Sequence, residues 1–303
     1  MEPLYKIILA CGWLIFLLVL YHRYFGLSVP VIRKLDRTVP PQDFSVALFG
    51  DCQGADNPLT SLRPTYLVFN NIIEQVNKTR PYFTAVLGDM VSSGRAYHYY
   101  RFRRQLSRLH SPGYVVLGNH DAKYNGRQIF KFIFGPAYYS LIIGANAFIF
   151  LDNAEGSLDA AQLTWLESQL RESSSCHIYV FMHQPVFDPR PGGNYAMNDR
   201  EQAARLQELF RAAKVKAVFA SHLHGFYQAE DAGVKYYITG GAGSTLTSPQ
   251  DYYHYLRLDI SGPIFKVSAV KIQPHLSPAV IARWSAAALA LLALAILTFF
   301  AVR

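Results

Sequence analysis

The chain has 303 residues, 51% of them apolar and only 17% charged, with 29 Lys and Arg against 21 Asp and Glu for a formal charge of +8. Soluble chains average about 25% charged residues, and here the shortfall sits at the ends: residues 1–25 carry only Glu2, Lys6 and Arg23, and residues 277–303 only Arg283 and Arg303. The rest is long enough for one large core, and 3 well-separated Cys exclude both a disulfide framework and a Cys-rich zinc module.

The first segment, Ile7 to Tyr21, is apolar and lies between Lys6 and His22-Arg23. As a helix it covers about 22 Å, so the flanking Lys and Arg must snorkel to complete a crossing. No small-residue cleavage site follows, which reads as an uncleaved transmembrane anchor over 1–25 rather than a signal peptide. Residues 26–43 read as a juxtamembrane linker and 44–274 as the main domain.

Within that domain, five short apolar runs each end in a polar group able to bind metal or move a proton. Ser45 to Gly50 is followed by Asp51, Thr84 to Gly88 by Asp89, and Tyr114 to Gly118 by Asn119, His120 and Asp121. Ile178 to Met182 is followed by His183, and Ala217 to Ser221 by His222 and His224. Continuous apolar runs of this length suit strands buried on both faces, as in α/β sheets. Helical periodicity separates them over Leu67 to Val76, Ala96 to Leu109, Leu158 to Leu170 and Glu201 to Ala213. Ligands in such sheets bind beyond the carboxyl ends of the strands, where all five polar groups fall.

A second set of strands has alternating or aromatic texture. Tyr138 to Ile143 and Ala147 to Leu151 are joined by a short turn, as are Phe226 to Glu230 and Val234 to Thr239. With Tyr255 to Ile260 and Ile264 to Ile272 they are expected to form a second sheet packed on the first.

The last segment, Ser285 to Val302, is uncharged, opens at Trp284 and ends before Arg303, reading as a second transmembrane helix over 279–303. Two spans put both termini on one side and the domain on the other. Arg23, Arg33, Lys34, Arg37, Lys266 and Lys271 outnumber Lys6 and Arg303, so the positive-inside rule places the domain on the cytoplasmic side of a two-pass membrane protein.

Seven residues are candidate metal ligands: Asp51, Gln53, Asp89, Asn119, His183, His222 and His224. Carboxylate, amide and imidazole donors without thiolate suit Mn, Fe or Zn. Two divalent ions would bring four positive charges against two carboxylates, a surplus that attracts hydroxide and a phosphoryl oxygen. His120 is a candidate proton donor to a departing alkoxide, with Asp121 expected to orient it and raise its pKa.

These blocks, Asp51-Cys-Gln53, Gly88-Asp89, Gly118-Asn-His-Asp121, His183 and His222-Leu-His224, resemble the five motifs of the calcineurin-like metallophosphoesterases across about residues 44–272. Gln184-Pro185, Gln162 with Trp165-Leu166, and Gly240-Gly-Ala-Gly243 also resemble the family. The resemblance implies a four-layer α/β/β/α sandwich. It implies a first ion held by Asp51, Gln53, Asp89 and His224, and a second held by Asp89, Asn119, His183 and His222. It further implies in-line attack of metal-bound hydroxide on phosphorus, with His120 protonating the leaving oxygen. One position departs from the pattern: the family usually has His where this chain has Gln53, a neutral donor of weaker hold.

The expected function is a membrane-anchored hydrolase of a phosphate monoester or diester, with a lipid or lipid-linked headgroup as substrate. The alternative is a weak or inactive scaffold of the same fold that binds a phosphorylated partner. Selection among monoester, diester and pyrophosphate rests with the segments 188–199 and 244–251. The basic, aromatic segment Arg95 to Arg108 reads as a surface helix with Phe102, Leu106 and Leu109 turned inward, and its sharper reading is contact with an anionic lipid surface. Nucleic acid is not expected as a partner, because no recognised binding module accompanies the cluster. Cys52 is expected to turn away from its neighbours Asp51 and Gln53.

Overall fold

The structure, a computed structural model, describes residues 2–25, 41–53, 64–276 and 278–302. The chain divides into two compact units, Met1–Val29 with His275–Arg303, and Pro30–Pro274. Its elements begin with α1 (Glu2–Phe25), β1 (Asp43–Phe49), α2 (Pro64–Thr79), β2 (Phe83–Leu87), α3 (Ala96–Leu106) and β3 (Gly113–Val116). The short α4 (Asn119–Ala122), α5 (Gly126–Phe134), β4 (Tyr139–Ile143), β5 (Asn146–Phe150), α6 (Ala160–Glu172) and β6 (His177–Phe181) follow. The remainder are α7 (Arg200–Ala212), β7 (Ala217–Ala220), β8 (Phe226–Asp231), β9 (Val234–Thr239), β10 (His254–Ser261), β11 (Ile264–Lys271) and α8 (Pro278–Val302).

The larger unit holds two sheets, in the orders β11-β10-β1-β2-β3 and β4-β5-β6-β7-β9-β8. β1, β2 and β3 run parallel, as do β5, β6, β7 and β9, while β10, β11, β4 and β8 join antiparallel. This corrects the expected division. The five motif-bearing strands do not share one sheet: β1 to β3 belong to one, β6 and β7 to the other, and the hairpin strands are divided between them. Alternating texture marks strands toward a sheet's margins, where one side is less covered, and does not mark a separate sheet.

Strand parity explains the layers. In β1, Val46 and Leu48 enter the core between the sheets, while Ala47 and Phe49 face the helical side with Val68, Phe69, Ile72 and Phe102. In β6, Tyr179 and Phe181 turn to the inter-sheet core and Ile178 and Val180 to Leu166, Leu170, Leu206 and Phe210 of α6 and α7. Side chains of a strand alternate between faces, so each sheet is covered twice and four layers result, α/β/β/α as expected. Aromatic rings fill the middle: Phe83 meets Phe148 edge-on at 5.1 Å, and Phe150 stacks on Phe181 at 4.8 Å.

Two of the helices open on side-chain caps. Asp159 accepts from the Gln162 amide at 2.8 Å ahead of α6, and Asp199 from the Gln202 amide at 2.9 Å ahead of α7. α3 ends at Leu106, earlier than its periodicity suggests, but Phe102, Leu106 and Leu109 are buried as expected. Arg108 is engaged by Asn70 and stands 3.9 Å from Glu74, so this residue of the basic segment is tied into the fold. The Asn77 amide is likewise occupied by the Arg108 carbonyl and the His110 amide.

In the smaller unit, α1 and α8 pack closely enough that a Cβ on Gly12 would lie 3.2 Å from Leu294 Cδ1. Counted over the described residues, no helix is long and apolar enough to cross a membrane. The two spans expected from the sequence therefore gain no support here. Most of the 26–43 linker, with Arg33, Lys34 and Arg37, lies outside the described residues, as does Arg303.

Candidate metal centre

Every candidate ligand leaves the carboxyl end of a parallel strand: Asp51 and Gln53 after β1, Asp89 after β2, Asn119 after β3, His183 after β6, and His222 and His224 after β7. The backbone there is unusual. Asp51, Asp89 and His222 have φ of 57°, 47° and 68°, the left-handed region that non-glycine residues avoid. Such a conformation costs of order 1–3 kcal/mol per residue and concentrates at functional sites. Two glycines allow the approach of these loops. A Cβ on Gly118 would stand 2.2 Å from the Asp89 amide nitrogen, and one on Gly88, itself at φ +87°, 2.5 Å from His183 Nδ1.

Donor atoms of Asp51, Asp89 and His183 all lie within 4.8 Å of one another, and all three residues are buried. His183 Nε2 is 3.5 Å from Asp89 Oδ1 and 3.0 Å from Asn119 Oδ1, which His222 Nδ1 also approaches at 3.1 Å. His224 Nε2 is 3.5 Å from Asp51 Oδ1. Asp51 Oδ2 accepts from the Ser221 hydroxyl and, at 2.8 Å, from the His222 amide.

The donor set fits divalent cations. His183 and His224 each place Nδ1 on a backbone carbonyl, of Leu87 at 2.9 Å and Thr245 at 2.7 Å. An Nδ1–H donated there leaves the Nε2 lone pair facing carboxylate and amide oxygens, none of which has a proton to give. Metal-binding histidines are oriented in this way. Asp51 Oδ1 and Gln53 Oε1 are, in addition, buried without a hydrogen-bond partner. Ligand atoms at 2.0–2.2 Å around a tetrahedral ion stand roughly 3.4 Å apart, close to the carboxylate–imidazole separations found here.

Electrostatics show the same demand for positive charge. Burial pushes the Asp51 carboxyl up, but the His224 imidazole, the charge of His183 and the Ser221 hydroxyl outweigh it and hold the pKa at about 2. His224 is the counterpart: burial pushes it down, yet Asp51 raises it to about 9. Burial, followed by the charge of His183, lowers His222 to about 4. Asp89 is raised, chiefly by burial.

The region around His120 differs from expectation. Its Nδ1 lies 3.0 Å from the Ser92 carbonyl and 3.2 Å from Lys123 Nζ, its amide donates to Asp89 Oδ1 at 2.8 Å, and Nε2 is 4.0 Å from Asp89 Oδ2. Asp121 does not orient this ring. Its carboxylate accepts from the Gly118 and Val91 amides at 2.8 and 3.0 Å, bracing the β3 turn against the β2 turn. Neighbours on a helical turn point about 100° apart, so adjacency in sequence gives no side-chain contact.

Cys52 turns into the core beneath α2 and α3, as expected. His254 is buried on Thr239 and the Tyr252 carbonyl, a packing role. Two supporting residues were not legible in the sequence. Ser221 holds Asp51, and Asn153 accepts from the amides of His183 and Gln184 at 2.9 and 3.1 Å, locking the His183 backbone in place. Ser221 closes the apolar run before His222, which is a usable signal. Asn153 carries none.

Residues 44–226 match the family described as calcineurin-like phosphoesterase. The chain belongs to this family. The candidate ligands from Asp51 to His224 all lie within the matched residues. Among curated relatives, it is similar to a serine/threonine-protein phosphatase, CPPED1 of Danio rerio, with 28% identity over 50% of this chain and 57% of that one. It is also similar to a 3′,5′-cyclic-nucleotide phosphodiesterase of Nostoc sp., with 26% identity over 55% of this chain and 66% of that one. The chain thus spans between half and two thirds of the length of these relatives. Among solved structures, a dimetal phosphatase from Danio rerio superposes with a TM-score of 0.63 at 15% identity, covering 75% of this chain and 96% of the other, a likeness of fold.

Proposed function

We propose that this calcineurin-like phosphoesterase hydrolyses a phosphate monoester or diester with two divalent ions, of which Asp51, Gln53, Asp89 and His224 hold one and Asp89, Asn119, His183 and His222 the other. The observation that carries this reading is the pair of imidazoles, His183 and His224, whose Nδ1 atoms lie on backbone carbonyls while Nε2 faces acidic oxygens. When bound, Mn, Fe or Zn ions supply Lewis-acid charge that polarises a phosphoryl oxygen and acidifies a water.

The chain's own groups do the rest. Asp121 ties the β2 and β3 turns together, so Asn119 and His120 are presented beside Asp89. His120, whose Nδ1 lies 3.0 Å from the Ser92 carbonyl, would act as the imidazolium, passing its Nε2 proton to the leaving oxygen and returning to the neutral ring. The His120 side chain is 32% exposed, open to an entering ester.

The finer part of the proposal is a membrane setting. α1 and α8 expose Ile8, Leu14, Leu17, Leu289, Leu292 and Phe299, apolar side chains that water leaves uncompensated and lipid accommodates. With the flanking basic residues this supports a membrane-associated protein whose domain faces the cytoplasm and whose ester is a lipid or lipid-linked headgroup. The full chain, loaded with Mn or Zn, is expected to release phosphate or alcohol from aryl phosphate monoesters or diesters and from a lipid extract, and His222→Ala to abolish this. Equal rates in wild type and variant would overturn the hydrolase reading. Protease accessibility in sealed vesicles tests the sidedness independently.

A further inference from the structure

The segment 188–199 is built around one buried carboxylate. Asp188, whose side chain is 2% exposed, accepts from Arg190 through its amide at 3.0 Å, Nε at 3.0 Å and Nη2 at 2.7 Å, and from the Tyr195 amide at 2.9 Å. A Cβ on Gly193 would lie 2.3 Å from this carboxylate, so only glycine allows the loop to close on it. The guanidinium of Arg190 is thereby fixed over the rings of Tyr195, at 5.2 Å, and Tyr227, at 5.8 Å, while the Tyr227 hydroxyl is anchored on Asp251 at 3.0 Å.

This construction ends in an exposed aromatic ring. Tyr195 is 49% exposed, and its ring centroid lies 5.9 Å from that of His222. A large ring is thus positioned beside a candidate metal ligand with half its surface open. Aromatic faces bind flat ring systems by stacking, with little regard to the ring's substituents.

We infer that Tyr195, held by the Asp188–Arg190 clamp, is a stacking platform for a flat aromatic ring in the organic part of the phosphate ester. The substrate class is then an aryl or nucleoside phosphoester. This rests on the hydrolase reading for the position of phosphorus and adds the identity of the group beside it.

The test is calorimetric titration of the metal-loaded full chain with phenylphosphonate, methylphosphonate and inorganic phosphate. Wild type and Tyr195→Phe are expected to bind phenylphosphonate about tenfold more tightly than methylphosphonate. Tyr195→Ala is expected to lose that preference while keeping its affinity for methylphosphonate, its metal content and its melting temperature. A preference for the phenyl group that survives in Tyr195→Ala, or its absence in wild type, overturns the platform, and leaves the hydrolase reading standing if phosphate still binds. Failure of all three anions to bind the wild type, together with absence of turnover, overturns both.

Discussion

His183 and His224 are oriented by the same device but sit in different surroundings. His183 is fully buried, with Asn153 holding its backbone and Asn119 and Asp89 at its Nε2. The side chain of His224 is 23% exposed, and its half of the centre contains the unpartnered Asp51 Oδ1 and the amide of Gln53 where the family pattern has an imidazole. The same imidazole orientation thus meets unequal sealing. The His183 half is expected to hold its ion tightly, and the His224 half to exchange its ion with the medium.

The change that breaks this comparison most severely is loss of Asp89, the carboxylate assigned to both halves. Asp89→Ala is expected to lower kcat/KM by at least about 10³-fold, equivalent to roughly 4 kcal/mol of transition-state stabilisation. Steady-state kinetics and metal content, measured together, should show both halves emptied. Retention of one tightly held ion would show that Asp89 does not bridge.

Both halves respond to acid, so a baseline from outside them sharpens the contrast. Burial lowers His254 from 6.5 to about 4, against a weaker opposing pull from its bond to the Tyr252 carbonyl. The unfolded chain therefore takes up this proton first; stability is full above pH about 6.5 and falls as pH drops from there toward 4, by up to about 3 kcal/mol. In urea titrations of the metal-free protein, His254→Gln is expected to flatten that acid slope. An unchanged slope would show that other groups set it.

The smallest effect expected is at Gln53. Gln53→His replaces an amide oxygen by imidazole and should tighten the weaker ion by about tenfold, roughly 1.4 kcal/mol, leaving the tighter ion unchanged. Competition against a fluorescent chelator reads this directly. An identical titration in wild type and variant would place Gln53 outside the coordination sphere.

Much of this centre was legible because buried parallel strands are continuous apolar runs, and each run stops at an Asp, Asn or His that chemistry marks. Helices α2, α6 and α7 were legible from their 3.6-residue period. The division of strands between sheets was not, because β10 pairs with β1 across most of the chain and its texture matches that of β8 and β9, which belong to the other sheet. α5 was passed over because it lies between motifs and carries none of them. Asp121 was misread since its proximity to His120 exists only along the backbone. The Asp188–Arg190–Tyr195 clamp lay within a segment marked for substrate selection, but its contacts depend on a turn closed at Gly193, which residue identity alone does not reveal.

A metal titration of the apo full chain followed by calorimetry tests most directly whether the two cation sites differ in strength. Wild type is expected to take up two Mn or Zn ions in separate phases, and Asp51→Asn to lose the weaker phase while keeping the tighter one. Binding of a single ion by wild type, or two phases that persist unchanged in Asp51→Asn, would contradict it.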